Sequence, residues 1–185
     1  MKKLVVIISS LLFFTACEKK VKTFDKPEEF ILNAKGKDLS NLFNTVIEAR
    51  NESKGAFHYT YVQVFEKNGK DTFNLPSFEF YDEIVHPNSL YKIGEMYEFA
   101  KNRGIDKKMA FQFSKEYVKK IDNLYKELRV INVISLPESG RFIRFTINKK
   151  FKVYYLEDSK TLTPYWKGYF SKLKKAEPKW FYEEI

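Results

Sequence analysis

Between Asp106 and Leu128, apolar residues recur at Ala110, Phe113, Tyr117, Ile121, Leu124 and Leu128, with mostly charged or polar residues between them. Spacings of three and four put all six on one stripe of a helix that Asp106 caps. Glu116–Lys120 and Asp122–Lys126 are four-residue charge pairs that suit its outer face. Such a stripe is unstable in water and requires an apolar surface of matching length. The sequence that follows supplies one. Val130 to Leu136, Arg141 to Ile147 and Phe151 to Leu156 are rich in branched and aromatic residues and read as strands, with Asn148-Lys149-Lys150 as a turn. A long one-sided helix followed by turn-linked strands specifies an α+β fold: a single domain with an antiparallel sheet packed against several helices.

The rest of the chain fits that class. Pro27-Glu28-Glu29 starts a helix with Phe30, Ile31 and Ala34 facing inward, and Gly36 stops it. Asp38 or Ser40 is expected to cap a second helix carrying Leu39, Leu42, Phe43, Val46 and Ile47. From Ala56 the period shifts to two, so Phe57 to Phe65 reads as a strand, Asn68-Gly69 as a hairpin turn and Thr72 to Leu75 as its return. Pro76 ends that strand, and Phe78 to Tyr81 is expected to continue it at an edge. Asn88 or Ser89 begins a helix with Leu90, Ile93, Tyr97 and Ala100 on one face, closed by Gly104. Thr163-Pro164 opens a short helix with Trp166, Tyr169, Phe170 and Leu173, and Trp180-Phe181-Tyr182 forms a last strand. No repeat or low-complexity linker divides the chain, so residues 27–185 are expected to be one domain.

The N-terminus reads differently. Met1-Lys2-Lys3 is basic, Leu4 to Phe14 is apolar apart from Ser9 and Ser10, and Thr15-Ala16-Cys17 follows. This is the pattern of a secretory signal peptide, and the apolar run is too short to span a hydrocarbon core of about 30 Å. Phe14-Thr15-Ala16-Cys17 resembles the lipobox of bacterial lipoproteins, with Phe14 where that family usually has Leu or another aliphatic residue. The resemblance implies a signal peptide at 1–16, cleavage before Cys17 and lipidation of its sulfur. Residues 17–26 would then be the lipidated N-terminus and a short tether. The implied location is the bacterial cell envelope, and Glu18 in place of Asp after the cysteine favours the outer over the inner membrane.

Candidate chemistry is sparse. The single cysteine, Cys17, precludes disulfides within the domain and cysteine-based zinc sites. There is no Gly-x-Ser-x-Gly elbow and no phosphate-cradling glycine loop. His58 lies in the middle of an expected strand, with no carboxylate near it in sequence. Glu79, Asp82, Glu83 and His86 form the one acid/base or metal-ligand cluster, although Pro87 disfavours the helical geometry that would bring Glu83 and His86 together. No cofactor or metal is expected. Aromatic residues are plentiful, with 18 Phe, 12 Tyr and 2 Trp, and most are needed for a core. Trp166, Tyr169, Trp180 and Tyr182 cluster near the C-terminus and are the candidates for a ligand groove.

Charge is distributed unevenly. Residues 38–100 hold five basic and ten acidic side chains, whereas residues 101–185 hold twenty and ten. Lys115, Lys119 and Lys120, off the apolar stripe of the long helix, are the expected basic face for anionic lipid headgroups. Nucleic acid is not an expected partner, because the chain reads as exported and carries no nucleic-acid-binding signature. The sequence therefore points to a membrane-anchored envelope lipoprotein with a non-catalytic binding domain for an envelope protein or glycan. The alternatives are an envelope hydrolase acting on glycan or peptide through the Glu79–His86 cluster, and an immunity-type lipoprotein that neutralises a toxin.

Overall fold

The structure is a computed structural model and describes residues 23–49, 60–65, 72–75 and 104–185. Among the described residues, eight strands form one antiparallel sheet: β1 (Thr45–Ala49), β2 (Thr60–Phe65), β3 (Thr72–Leu75), β4 (Asn132–Ile134), β5 (Arg141–Thr146), β6 (Phe151–Asp158), β7 (Lys174–Glu177) and β8 (Trp180–Glu184). Their spatial order is β3-β2-β1-β4-β5-β6-β8-β7. Helix α1 (Pro27–Ala34) and helix α2 (Lys107–Leu128) pack on one face, and the short helix α3 (Pro164–Phe170) on the other. The fold is α+β, as its sequence pattern requires.

Local chemistry sets the element ends. Asp106 caps α2 by accepting from the backbone N–H of Lys108 at 2.9 Å and of Met109 at 3.1 Å. Arg129 ends it in the left-handed conformation. Thr163 caps α3 through a 3.4 Å bond from Trp166 N–H, with Pro164 at the first helical position. At the β5–β6 turn, Asn148 Oδ1 accepts from Lys150 N–H at 2.7 Å and from Phe151 N–H at 2.9 Å. Gly140, at φ 116°, has no room for a side chain: a Cβ there would lie 2.9 Å from the Thr161 carbonyl oxygen.

The second helix expected over Leu39–Ile47 does not form. Ser40–Leu42 makes a single 3-10 turn, and Thr45–Ala49 is strand β1, between β2 and β4. Asn44 breaks the helical path at φ 55°. Thr45 Oγ1 then donates back to the carbonyls of Phe43 and Asn41, and Ser135 N–H pairs with Thr45 O at 2.9 Å. With the helical path closed, the branched run Thr45-Val46-Ile47 takes the sheet. Lys174–Glu177, not anticipated as a strand, forms the edge strand β7, most of it exposed. The expected strand Phe57–Phe65 is seen as Thr60–Phe65, paired with Thr72–Leu75 as anticipated. The Asn68-Gly69 turn, the edge segment 78–81 and the helix expected from Asn88 lie outside the described residues.

Because β5, β6 and β8 are covered on both faces, alternate residues enter two different cores. Ile143, Phe145, Val153 and Trp180 join Phe30, Ile31, Ala34, Ile121 and Leu128 beneath α1 and α2. Phe142, Tyr154 and Leu156 join Leu162 and Phe170 beneath α3. Four residues of the α2 stripe join the first of these cores as expected, Ile121 and Leu128 fully buried and Tyr117 and Leu124 packed beside them. Phe24 is buried too, against Phe30 at 5.8 Å, with the Arg129 guanidinium 4.1 Å above its ring. Phe24, three residues before Pro27, is thus part of the core.

Phe30 contacts Phe24, Phe145 (5.0 Å between ring centroids) and Trp180 (6.1 Å, edge-on). Phe30→Ala is expected to cost about 3–5 kcal/mol in urea unfolding, because the cavity lies between three elements that cannot collapse together. Leu32→Ala, on the same helix but 75% exposed, should stay within about 0.5 kcal/mol.

Candidate functional site

Chain segment 34–43, which leaves α1 and leads into β1, crosses over one end of β6 and β8. Beneath it lies a groove of about 290 Å³ lined by residues that include Gly36, Asp38, Ser40, Phe43, Tyr155, Glu157 and Trp180. Its floor is aromatic: Tyr155 lies 4.9 Å from Trp180 and 6.4 Å from Phe43. Its rim carries both signs of charge. Lys35 pairs with Glu177 at 2.5 Å and Lys37 with Glu127 at 2.8 Å, so both ammonium groups are held by other elements. Arg141 is ion-paired to Glu157 and stacks over Phe43 at 4.7 Å. The Asp38 carboxyl lies below its ordinary range, because hydrogen bonds from Ser40, its side chain and then its backbone N–H, favour the ionised form. Small-ligand pockets are mostly apolar and enclosed. This groove is open on one side and its lining is more polar than apolar, so it suits a polar ligand laid along the aromatic floor.

The other face of the sheet carries a second polar cluster. Register places Lys152 opposite Glu183, with Tyr154 two residues along the same face. Tyr154 donates to Glu183 Oε1 at 2.7 Å and Tyr169 donates to Oε2 at 2.6 Å, while Lys152 Nζ lies 3.5 Å from Oε1. The two phenol oxygens are 3.2 Å apart. Burial opposes ionisation of Glu183, but hydrogen bonds from Tyr169 and Tyr154, together with Lys152, outweigh it and hold the carboxyl below its ordinary value. Burial, reinforced by the adjoining carboxylate, pushes both phenols up, Tyr154 further than Tyr169. Both phenols therefore stay protonated and donate at neutral pH. The cluster ties α3 to β6 and β8.

The four aromatic residues proposed for a groove do not share one. Trp180 lies in the floor of the groove, Tyr182 packs on the same side of the sheet, and Trp166 and Tyr169 lie across the sheet under α3. Phe43 and Tyr155, which complete the floor, were missed. The only sequence signal for Tyr155 is its parity with Val153 along β6. Among the three lysines of the expected basic face, Lys119 and Lys120 are exposed on α2 and Lys115 is half-buried. Cys17, His58 and the cluster Glu79, Asp82, Glu83 and His86 lie outside the described residues. Among those that are described, no three His, Cys, Asp or Glu side chains gather as a metal would require, and no helix is long and apolar enough to cross a membrane. Comparison with protein-family models, curated proteins and solved structures finds no match.

Glu183 makes stability depend on pH with a definite sign. A depressed carboxyl pKa contributes stability above the unfolded value, about 4.3, and that contribution is lost as pH falls through the folded value. Glu183→Gln should therefore unfold with a shallower acid dependence than wild type below about pH 4.3. Tyr154→Phe should cost about 2 kcal/mol at neutral pH, the usual worth of a hydrogen bond to a charged group. Urea titrations at stepped pH measure both.

Proposed function

We propose that this chain is a lipid-anchored protein of the bacterial cell envelope that acts by binding, with the groove under segment 34–43 as its ligand site. What carries the reading is the lipobox-like Phe14-Thr15-Ala16-Cys17 behind a basic and apolar leader, seven residues before Phe24, which is buried in the folded domain. Acyl chains on Cys17 would hold the domain stably, since two or more chains suffice where one binds only marginally. Glu18 favours the outer membrane as the destination.

The groove supports a binding role. The Tyr155 ring offers a flat apolar contact, and Asp38, Ser40 and Glu157 offer polar groups at its edge. Such a surface suits a ligand with one apolar face and a polar rim, a sugar ring of an envelope glycan being the simplest. The carboxylate of Glu157 is already held by Arg141, so it is fixed in place to accept a hydrogen bond.

Cys17→Ser is expected to abolish incorporation of a metabolic acyl label and to move the protein from the membrane fraction to the soluble one. Equal label and equal retention in wild type and variant would sink the anchor. For the groove, soluble envelope glycan fragments titrated against the ¹⁵N-labelled protein should shift the amide signals of Gly36 to Ser40 and of Glu157 together, leaving those of α3 unmoved. Shifts confined to α3, or none, would remove the groove from the proposal.

A further inference from the structure

The place where the chain enters the fold fixes which end of the domain faces the bilayer. Phe24 is the first buried residue among those described, held by Phe30 below it and by the Arg129 guanidinium above it. Its carbonyl accepts from Asn148 Nδ2 at 2.8 Å, and the carbonyl of Asp25 accepts from the same group at 3.4 Å. Asn148 is also the residue that shapes the β5–β6 turn, through its bonds to the N–H groups of Lys150 and Phe151. The N-terminal entry and this turn are thus clamped together by one side chain. From Cys17 to Phe24 the chain has seven peptide steps, at most about 25 Å fully extended. An anchor at Cys17 cannot let this end of the domain stray far from the headgroups.

The groups at this end are suited to that position. Lys149 and Lys150 are exposed at the tip of the turn, Lys26 is exposed beside the entry, and Arg129 covers Phe24. The counter-charges nearby are Asp25, Glu28 and Glu29 in the first turn of α1, and Glu184, the last paired in register with Phe151 beside the turn. The sequence adds Lys19, Lys20 and Lys22 against Glu18 in the tether itself. Lys115, Lys119 and Lys120, the face expected from sequence, lie about 14–21 Å back along α2 from Arg129. That is more than a Debye length of about 8 Å. The opposite end of the sheet is reached along β6, whose eight residues run from Phe151 beside the turn to Asp158. Glu157, which lines the groove, and its ion-pair partner Arg141 lie toward that far end.

We propose that the β5–β6 turn, with Lys26 and Arg129, is a membrane-docking surface for anionic phospholipid headgroups of the bilayer that holds the anchor. Docked this way, the domain presents the groove away from the membrane, to ligands in the aqueous space. The proposal rests on the lipid-anchor reading, and its test separates the two. The full-length acylated protein is reconstituted into phosphatidylcholine vesicles with and without phosphatidylglycerol. A maleimide dye is placed at Lys149→Cys or, in a second protein, at Lys160→Cys; Cys17, once acylated, does not compete. Lys160 is exposed, just beyond the far end of β6 and about 25 Å from the turn.

Quenching by headgroup-labelled lipid should be several-fold stronger at 149 than at 160, and stronger with phosphatidylglycerol than without. Adding Lys26→Glu and Lys150→Glu should remove the phosphatidylglycerol-dependent part, and so should raised salt. Circular dichroism of the same variants should be unchanged, because both side chains are exposed. Protein that floats with the vesicles but is quenched equally at the two sites, or is indifferent to phosphatidylglycerol, overturns the docking surface alone. Protein that takes no acyl label and does not float overturns the anchor, and the docking surface with it.

Discussion

The ring of Phe30 is the point on which the helical side of the domain depends. It is buried where an N-terminal helix, the centre of the sheet at Phe145 and the C-terminal strand at Trp180 converge. No two of these elements are neighbours in sequence, so the ring joins parts of the chain that have no local reason to meet. Phe24 packs on Phe30 in turn, and through Phe24 the entry of the chain and the β5–β6 turn are fixed. The groove inherits its shape from the same contact: segment 34–43 leaves α1 in the direction that the docked helix imposes, and Trp180 supplies both the partner of Phe30 and part of the floor.

The two faces of the sheet solve different problems. Beneath α1 and α2 the contact is broad and apolar, and needs only volume and shape. Beneath α3 the helix is seven residues long, too short to be stable by itself. It is held by Phe170 and Trp166 against Phe142, and by a carboxylate that accepts from two phenols. A charge-assisted cluster of this kind is directional where an apolar contact is not, and it fixes how a one-turn-and-more helix sits on a strand. Its cost is a carboxylate partly removed from water, offset here by three donors.

Much of this architecture could be read from local patterns. The start of α1 at Pro27, the Asp106 cap, the stripe of α2, the Asn148 turn and the Thr163-Pro164 opening all rest on interactions within a few residues, so spacing reveals them. What could not be read rests on distant partners. Leu39 to Ile47 fits a helical period over its short length, and only the left-handed Asn44 and the pairing of β1 between β2 and β4 decide for a strand. Lys174–Glu177 has no apolar alternation and forms a strand because β8 offers it a ladder. The proposed aromatic groove came apart for a similar reason. Trp166 and Tyr169 share a helix face and Trp180 and Tyr182 share a strand face, but nothing in the spacing tells that α3 crosses to the other side. The Glu183 cluster joins residues 14 and 29 positions apart and depends on strand register.

Strand β8 is an interior strand, between β6 and β7, although it is made among the last residues of the chain. Its Trp180 is the surface on which the ring of Phe30, about 150 residues earlier, comes to rest. Until that tryptophan has been synthesised, α1 has no complete docking site and the helical core stays open along one side.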